Sequence, residues 1–101
     1  MNKDYIIRAV SDTGSIRAFA AYTKATVNQA QAYHKTSAVV TAAMGRLLTA
    51  AAMMGATLKG EGDIITLQTN GDGPIGRMIA VTDSKSRVKI CVGNPDRKSV
   101  V

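Results

Sequence analysis

The apolar positions of this chain fall into two rhythms. Residues 4–10, Asp-Tyr-Ile-Ile-Arg-Ala-Val, are β-branched and aromatic enough to predict a strand. Ser11-Asp12-Thr13-Gly14 supplies turn residues. Beyond it Ile16, Ala18, Ala20 and Tyr22 alternate with Arg17, Phe19 and Ala21. That period of two joins the runs as a β-hairpin. Three more strands are predicted over 64–69, 77–82 and 87–92. Asn70-Gly71-Asp72-Gly73-Pro74 and Asp83-Ser84-Lys85-Ser86 turn one into the next. In the last strand Val88, Ile90 and Val92 alternate with Arg87, Lys89 and Cys91, so one face is apolar and the other half-polar.

Between these blocks the rhythm becomes helical. Thr26-Val27-Asn28-Gln29 matches a capping box, and the helix it opens runs through Tyr33 and stops near His34-Lys35. Thr36-Ser37 caps a second helix over 38–58, with Val40, Met44, Leu47, Ala51 and Met54 as its apolar stripe. Ala42, Ala43, Gly45, Ala50 and Ala52 keep the rest of its surface small. A helix apolar nearly all round belongs at the centre of a fold. Gly60 serves as the terminating cap. The expected fold is α+β, in the order β-β-α-α-β-β-β. A mainly antiparallel sheet packs on a helical hairpin whose long Ala/Met-rich second helix is central.

Residues 36–58 are long enough to cross a bilayer, but Arg46 sits near mid-span and no aromatic residues flank the run. A buried helix of a soluble domain is the better account. The first residues, Met1-Asn2-Lys3-Asp4, lack the pattern of a secretory signal.

Composition narrows the chemistry. A length of 101 residues suits one domain, and 46% hydrophobic residues exclude wholesale disorder. One cysteine excludes a disulfide framework and any zinc site built from two or more cysteines of this chain, and it fits a reducing compartment. One histidine leaves few ways to make a metal centre. The balance shifts toward binding rather than catalysis. The formal charge is +6, from 13 Lys and Arg against 7 Asp and Glu. These basic residues are scattered, with one local cluster at Lys85, Arg87 and Lys89 and no interleaved aromatics for base stacking. A solvated basic surface is the default, with a nucleic-acid-binding domain as an alternative.

Each candidate motif has a plain structural reading. Gly71-Asp72-Gly73-Pro74-Ile75-Gly76 fits G-x-G-x-x-G, yet it joins two strands, whereas a dinucleotide fingerprint opens a helix. Asp12-Thr13-Gly14 matches the triplet of dimeric aspartic proteases, in which apposed carboxylates share a proton. That enzyme needs a nearly all-β subunit, and Asp and Gly are ordinary turn residues. His34 suits a helix end, where an imidazolium meets the dipole. Arg46 is expected to be held by a carboxylate or by carbonyl groups on its apolar helix. Cys91 reads as a small buried hydrophobe, and the methionines, Met44, Met53, Met54 and Met78 among them, mostly as core.

An ordered set of short motifs then stands out. It runs Asp4-Tyr5-Ile6-Ile7-Arg8-Ala9, Gly14-Ser15-Ile16-Arg17-Ala18, Thr23, Tyr33-His34, Ala43-Met44-Gly45-Arg46-Leu47-Leu48, Leu58-Lys59, Gly71 to Gly76, and Asn94-Pro95. In this order the set resembles the N-terminal portion of the redox-regulated 33-kDa chaperonin (heat shock protein 33) family. The resemblance implies a cytoplasmic, ATP-independent holdase that binds unfolding polypeptides under oxidative stress and dimerises when oxidised. It also implies a C-terminal four-cysteine zinc switch, whose thiolates bind zinc when reduced and form disulfides when oxidised. Those cysteines lie beyond this chain, and Cys91 corresponds to none of them. The family carries no catalytic residues to transfer. Residues 1–101 are thus expected to be part of a core domain truncated at its C-terminal end. They carry no catalytic, cofactor or metal site, and the client-binding residues stay unknown. The alternatives left open are the dimeric protease using Asp12 and the basic nucleic-acid binder.

Overall fold

A computed structural model describes residues 3–69, 76–93 and 95 of the chain. The element order is β1 (Tyr5–Val10), β2 (Arg17–Tyr22), α1 (Lys24–His34), α2 (Ala38–Gly55), β3 (Ile64–Thr69), β4 (Met78–Asp83) and β5 (Val88–Val92). This is the expected α+β order, with every strand within a residue of its predicted bounds. The strands form two separate antiparallel sheets: a two-stranded hairpin β1-β2, and a three-stranded sheet in the order β3-β4-β5. Expectation pictured one main sheet; local alternation does not say which strands share a ladder.

The β1-β2 register runs from Tyr5 opposite Tyr22 to Val10 opposite Arg17. Its turn closes through Ser11 N–H to the Ile16 carbonyl and Gly14 N–H to the Ser11 carbonyl, both 2.9 Å. Gly14 takes a φ of 75°, which a side chain would resist.

The core forms where α2 lies on the inner face of the three-stranded sheet. Val40, Met44, Leu48, Ala51 and Ala52 are buried along one stripe of α2. Met78, Ala80, Thr82 and Ile90 meet them from the sheet, and Ala30 of α1 joins from the side. Small residues let the layers approach. A Cβ on Gly55 would sit 2.5 Å from Thr82 Oγ1 and 2.7 Å from the Asp83 carbonyl. At Gly45 it would meet Val27 of α1 at 3.3 Å.

Several local expectations are corrected. Helix α1 begins at Lys24 with Thr23 at the N-cap, so the Thr26–Gln29 box lies inside the helix. A distant carboxylate does the capping instead: Asp4 accepts from Ala25 N–H (3.0 Å), from Thr26 N–H (2.6 Å) and from the Thr26 hydroxyl. The Thr23 hydroxyl is 2.6 Å from that of Thr49, which donates to the Gly45 carbonyl at 2.7 Å. Thr49's proton being committed, Thr23 donates, and the pair ties the start of α1 to α2. Ser37 caps α2 as expected, accepting from Val40 N–H at 3.3 Å. Helix α2 ends at Gly55 rather than 58, and Gly60 is not its cap; Ala56 closes it with N–H bonds to Ala52 and Met53. Met44 and Met78 are core, but Met54 is 42% exposed. The predicted 70–74 turn and nearly all of the G-x-G-x-x-G motif lie outside the described residues.

Two aspartates hold this frame in their charged form. Partial burial pushes the Asp4 carboxyl up, but its bonds from Thr26 and Ala25 together outweigh that and leave it below the ordinary 3.8. Asp83 is also held down, first by Arg87 N–H (3.0 Å), with further help from the Arg87 guanidinium (2.6 Å) and Lys85 N–H (2.9 Å).

Truncating Met44 to Ala is expected to cost about 2–5 kcal/mol of folding stability, because a fully buried side chain leaves a cavity. Gly55→Ala should cost about 1–3 kcal/mol through overpacking against Thr82. Denaturant unfolding checks both. Asp4→Ala should cost about 1 kcal/mol at neutral pH through loss of the cap. Both aspartates have folded-state values below 3.8. Their contribution is therefore full well above that value and disappears as the pH falls through the lower folded values. Thermal melts should show this acid loss, and the Asp4→Ala protein should lose less between neutral and acid pH than the parent.

Candidate functional site

Several large apolar side chains stand exposed on this fold. On one face of the β1-β2 hairpin lie Tyr5, Ile7 and Ala9 with Ala18, Ala20 and Tyr22; on the other lie Ile6, Arg8 and Val10 with Arg17, Phe19 and Ala21. In a two-stranded ribbon neither face is fully covered. Ile7 is 55% exposed, Val10 62% and Ile16 66%. The Tyr5 and Tyr22 rings stack at 5.7 Å, and the Arg17 guanidinium lies 5.5 Å from the Phe19 ring centre. The sequence held this signal: both faces of the predicted first strand carry large apolar residues, Ile7 on one and Ile6 and Val10 on the other, which a half-buried strand does not need.

Among the described residues, three depressions border the core. One of about 320 Å³ separates the hairpin from the core, with Tyr5, Tyr22, Leu48 and Val88 on its walls. A second, of about 450 Å³, lies between α1 and β5; Ala30, Leu48, Val88 and Ile90 form its floor, and Tyr33 and His34 stand at its rim. A third, broad and shallow at about 600 Å³, runs between α1 and α2 over Val27, Ala42, Gly45 and Met53. Depressions of these sizes with apolar floors suit apolar side chains.

The sequence-selected polar residues do not converge. Asp12 is exposed in the hairpin turn. His34 is the last residue of α1, at the expected helix end, and borders the α1–β5 cleft. Arg46 is exposed at the edge of the α1–α2 groove, which corrects its expected burial. It stands about 200° round the helix from Met44, away from the buried stripe. Cys91 is also exposed rather than buried. The strand alternation turns Ile90 toward α2 and hence Cys91 outward. The Lys85–Lys89 cluster is less basic than its composition suggests, because Arg87 is paired with Asp83.

These residues do not fit a zinc switch of the kind the resemblance implies. The chain has a single cysteine, and among the described residues no three His, Cys, Asp or Glu side chains gather to hold a metal. By length and composition α2 alone among the described helices meets the requirement for a bilayer span, yet it packs against α1 and both sheets.

Comparison with known proteins agrees with the motif order. The family model described as Hsp33 protein matches residues 4–101. The 33 kDa chaperonin of Clostridioides difficile (strain 630) is 50% identical over 93 residues, covering 92% of this chain and 32% of that protein. That of Acetivibrio thermocellus is 53% identical over 93 residues, covering 92% and 31%. A 33 kDa chaperonin of Staphylococcus aureus (strain JH9) is 48% identical over 95 residues, covering 94% and 32%. The chain thus spans about a third of the length of the curated relatives it matches. With a family match that leaves out only the first three residues, the chain belongs to the Hsp33 family.

Proposed function

We propose that this chain is the N-terminal part of the core of a redox-regulated, ATP-independent holdase that binds unfolding proteins under oxidative stress. The observation that carries the reading is the family match over residues 4–101. The exposed aliphatic and aromatic side chains of the hairpin and the apolar clefts beside it are consistent with it. A holdase has no bond to make or break. It needs apolar area that an unfolding chain covers better than water does, and burial of that area supplies the affinity. Backbone and aliphatic contacts of this kind carry little sequence preference, as diverse clients require. On this reading the protein works in the cytoplasm, by binding rather than catalysis, and the complete protein dimerises.

The switch is assigned to the part of the family protein outside this chain, because zinc loss and disulfide formation need several thiols and this chain has only Cys91. The charge of +6 and the apolar surface together favour acidic or neutral unfolded chains over basic ones.

Two outcomes test the proposal by light scattering from a thermally unfolding client protein. At about a tenfold molar excess, chosen to saturate weak apolar binding, the chain should slow aggregation. Peroxide should leave that effect unchanged in the Cys91→Ser variant. Unaltered client aggregation would overturn the holdase assignment. A large, reversible peroxide dependence in that variant would overturn the placement of the switch.

A further inference from the structure

We infer that the open edge of β5, with the cleft between β5 and α1, takes an extended acidic-apolar polypeptide segment as an added strand. This rests on the reading of the chain as a binder of unfolded polypeptide, and it names where and how that binding occurs.

The first ground is the ladder. Among the described residues β5 is an edge strand, paired with β4 on one side only. Asp83 N–H donates to the Arg87 carbonyl at 3.3 Å and Gly93 N–H to the Arg77 carbonyl at 2.8 Å, fixing which opposed pairs are hydrogen-bonded. Such pairs alternate along an antiparallel ladder. Lys89 opposite Val81 and Cys91 opposite Ile79 are therefore bonded to β4. The N–H and C=O groups of Val88, Ile90 and Val92 point to the open side. Among the described residues none of these three has another backbone partner. A strand added there satisfies those groups, and unpaired edges recruit other chains in this way.

The second ground is the cleft beside that edge. Its floor is apolar, made by Ala30, Leu48, Val88 and Ile90, and its volume of about 450 Å³ admits a large side chain. Main-chain bonds at the edge supply affinity without sequence preference, while the cleft selects an apolar residue. The edge of β3 has no cleft of this kind beside it among the depressions described above.

The third ground, charge, chooses the occupant. Among the described residues no carboxylate lines the cleft; its ionisable lining residues are Tyr33, His34 and Lys89. The whole chain carries +6. A second copy brings that same charge and is disfavoured, whereas a segment with acidic residues flanking an apolar one is favoured.

The test is amide hydrogen exchange by NMR on the full 101-residue chain. The probes are a reduced, carboxymethylated unfolded protein, a peptide of about ten residues alternating Val with Glu, and its counterpart with Lys for Glu, long enough for one strand. The acidic peptide should slow the Val88, Ile90 and Val92 amides at least ~10-fold and leave Lys89 and Cys91 nearly unchanged. It should bind about fivefold tighter than the basic peptide at low salt, and Lys89→Glu, at an exposed position, should narrow that ratio. If the unfolded protein binds while the three amides keep their rates, the strand-addition site is wrong and the holdase reading stands. If none of the probes binds, the holdase reading falls as well. If the three amides become protected as the chain alone is concentrated, the occupant is a second copy and the acidic segment is overturned.

Discussion

The approach of α2 to the three-stranded sheet is the constraint on which the rest of this structure depends. Met44, Leu48 and Ala51 are almost completely removed from water, and they meet Ala80 and Ile90 across the interface. The contact is close because small residues stand where the layers are nearest. Gly55 lies under Thr82, and Gly45 lies under Val27. The turn between β4 and β5 is held to the same helix. Ser86, in the left-handed region at φ 58°, donates its hydroxyl to the Ala52 carbonyl at 3.0 Å. Loss of this packing leaves an Ala-rich helix with little surface to bury and a sheet exposed on its inner face.

The hairpin is attached differently. It shares no ladder with the other sheet, and its links to the core run through β2 against α2 and through Asp4 at the start of α1. A few polar bonds thereby position an apolar ribbon that the core does not cover. Apolar side chains on such a ribbon gain more by covering than by staying in water, which is the physical requirement of a surface that holds unfolding chains. Among the described residues the β5 edge beside α1 has no further strand on it. Close packing and exposed apolar surface are thus divided between two parts of one small fold: a helix–sheet layer, and the ribbon left outside it.

Sequence patterning was a reliable guide to elements and a poorer one to partners. Alternation in Val88, Ile90 and Val92 located the last strand, because a period of two is enforced by the pleat wherever one face is buried. The Ser37 cap was legible because its partner, Val40, is three residues away. The cap of α1 was not, since Asp4 and Ala25 are neighbours only once the hairpin has folded back. Arg46 and Cys91 were misplaced for a related reason. The apolar helix around Arg46 and the residue type of Cys91 suggested burial, but orientation on a helix or strand is fixed by which face the neighbouring layer covers.

What the sequence by itself determined was the order β-β-α-α-β-β-β, the central place of the Ala/Met-rich helix, the absence of a cysteine cluster, and the motif order that marks the Hsp33 family. These depend on short-range periodicity, composition and local spacing, all of which are properties of the chain before it folds. Tertiary structure alone decided that the described strands divide into two sheets, that Asp4 caps α1, and that Val88, Ile90 and Val92 turn their main-chain groups away from β4. Each of these follows from contacts between segments far apart in sequence, where many pairings satisfy the local pattern and only packing selects one.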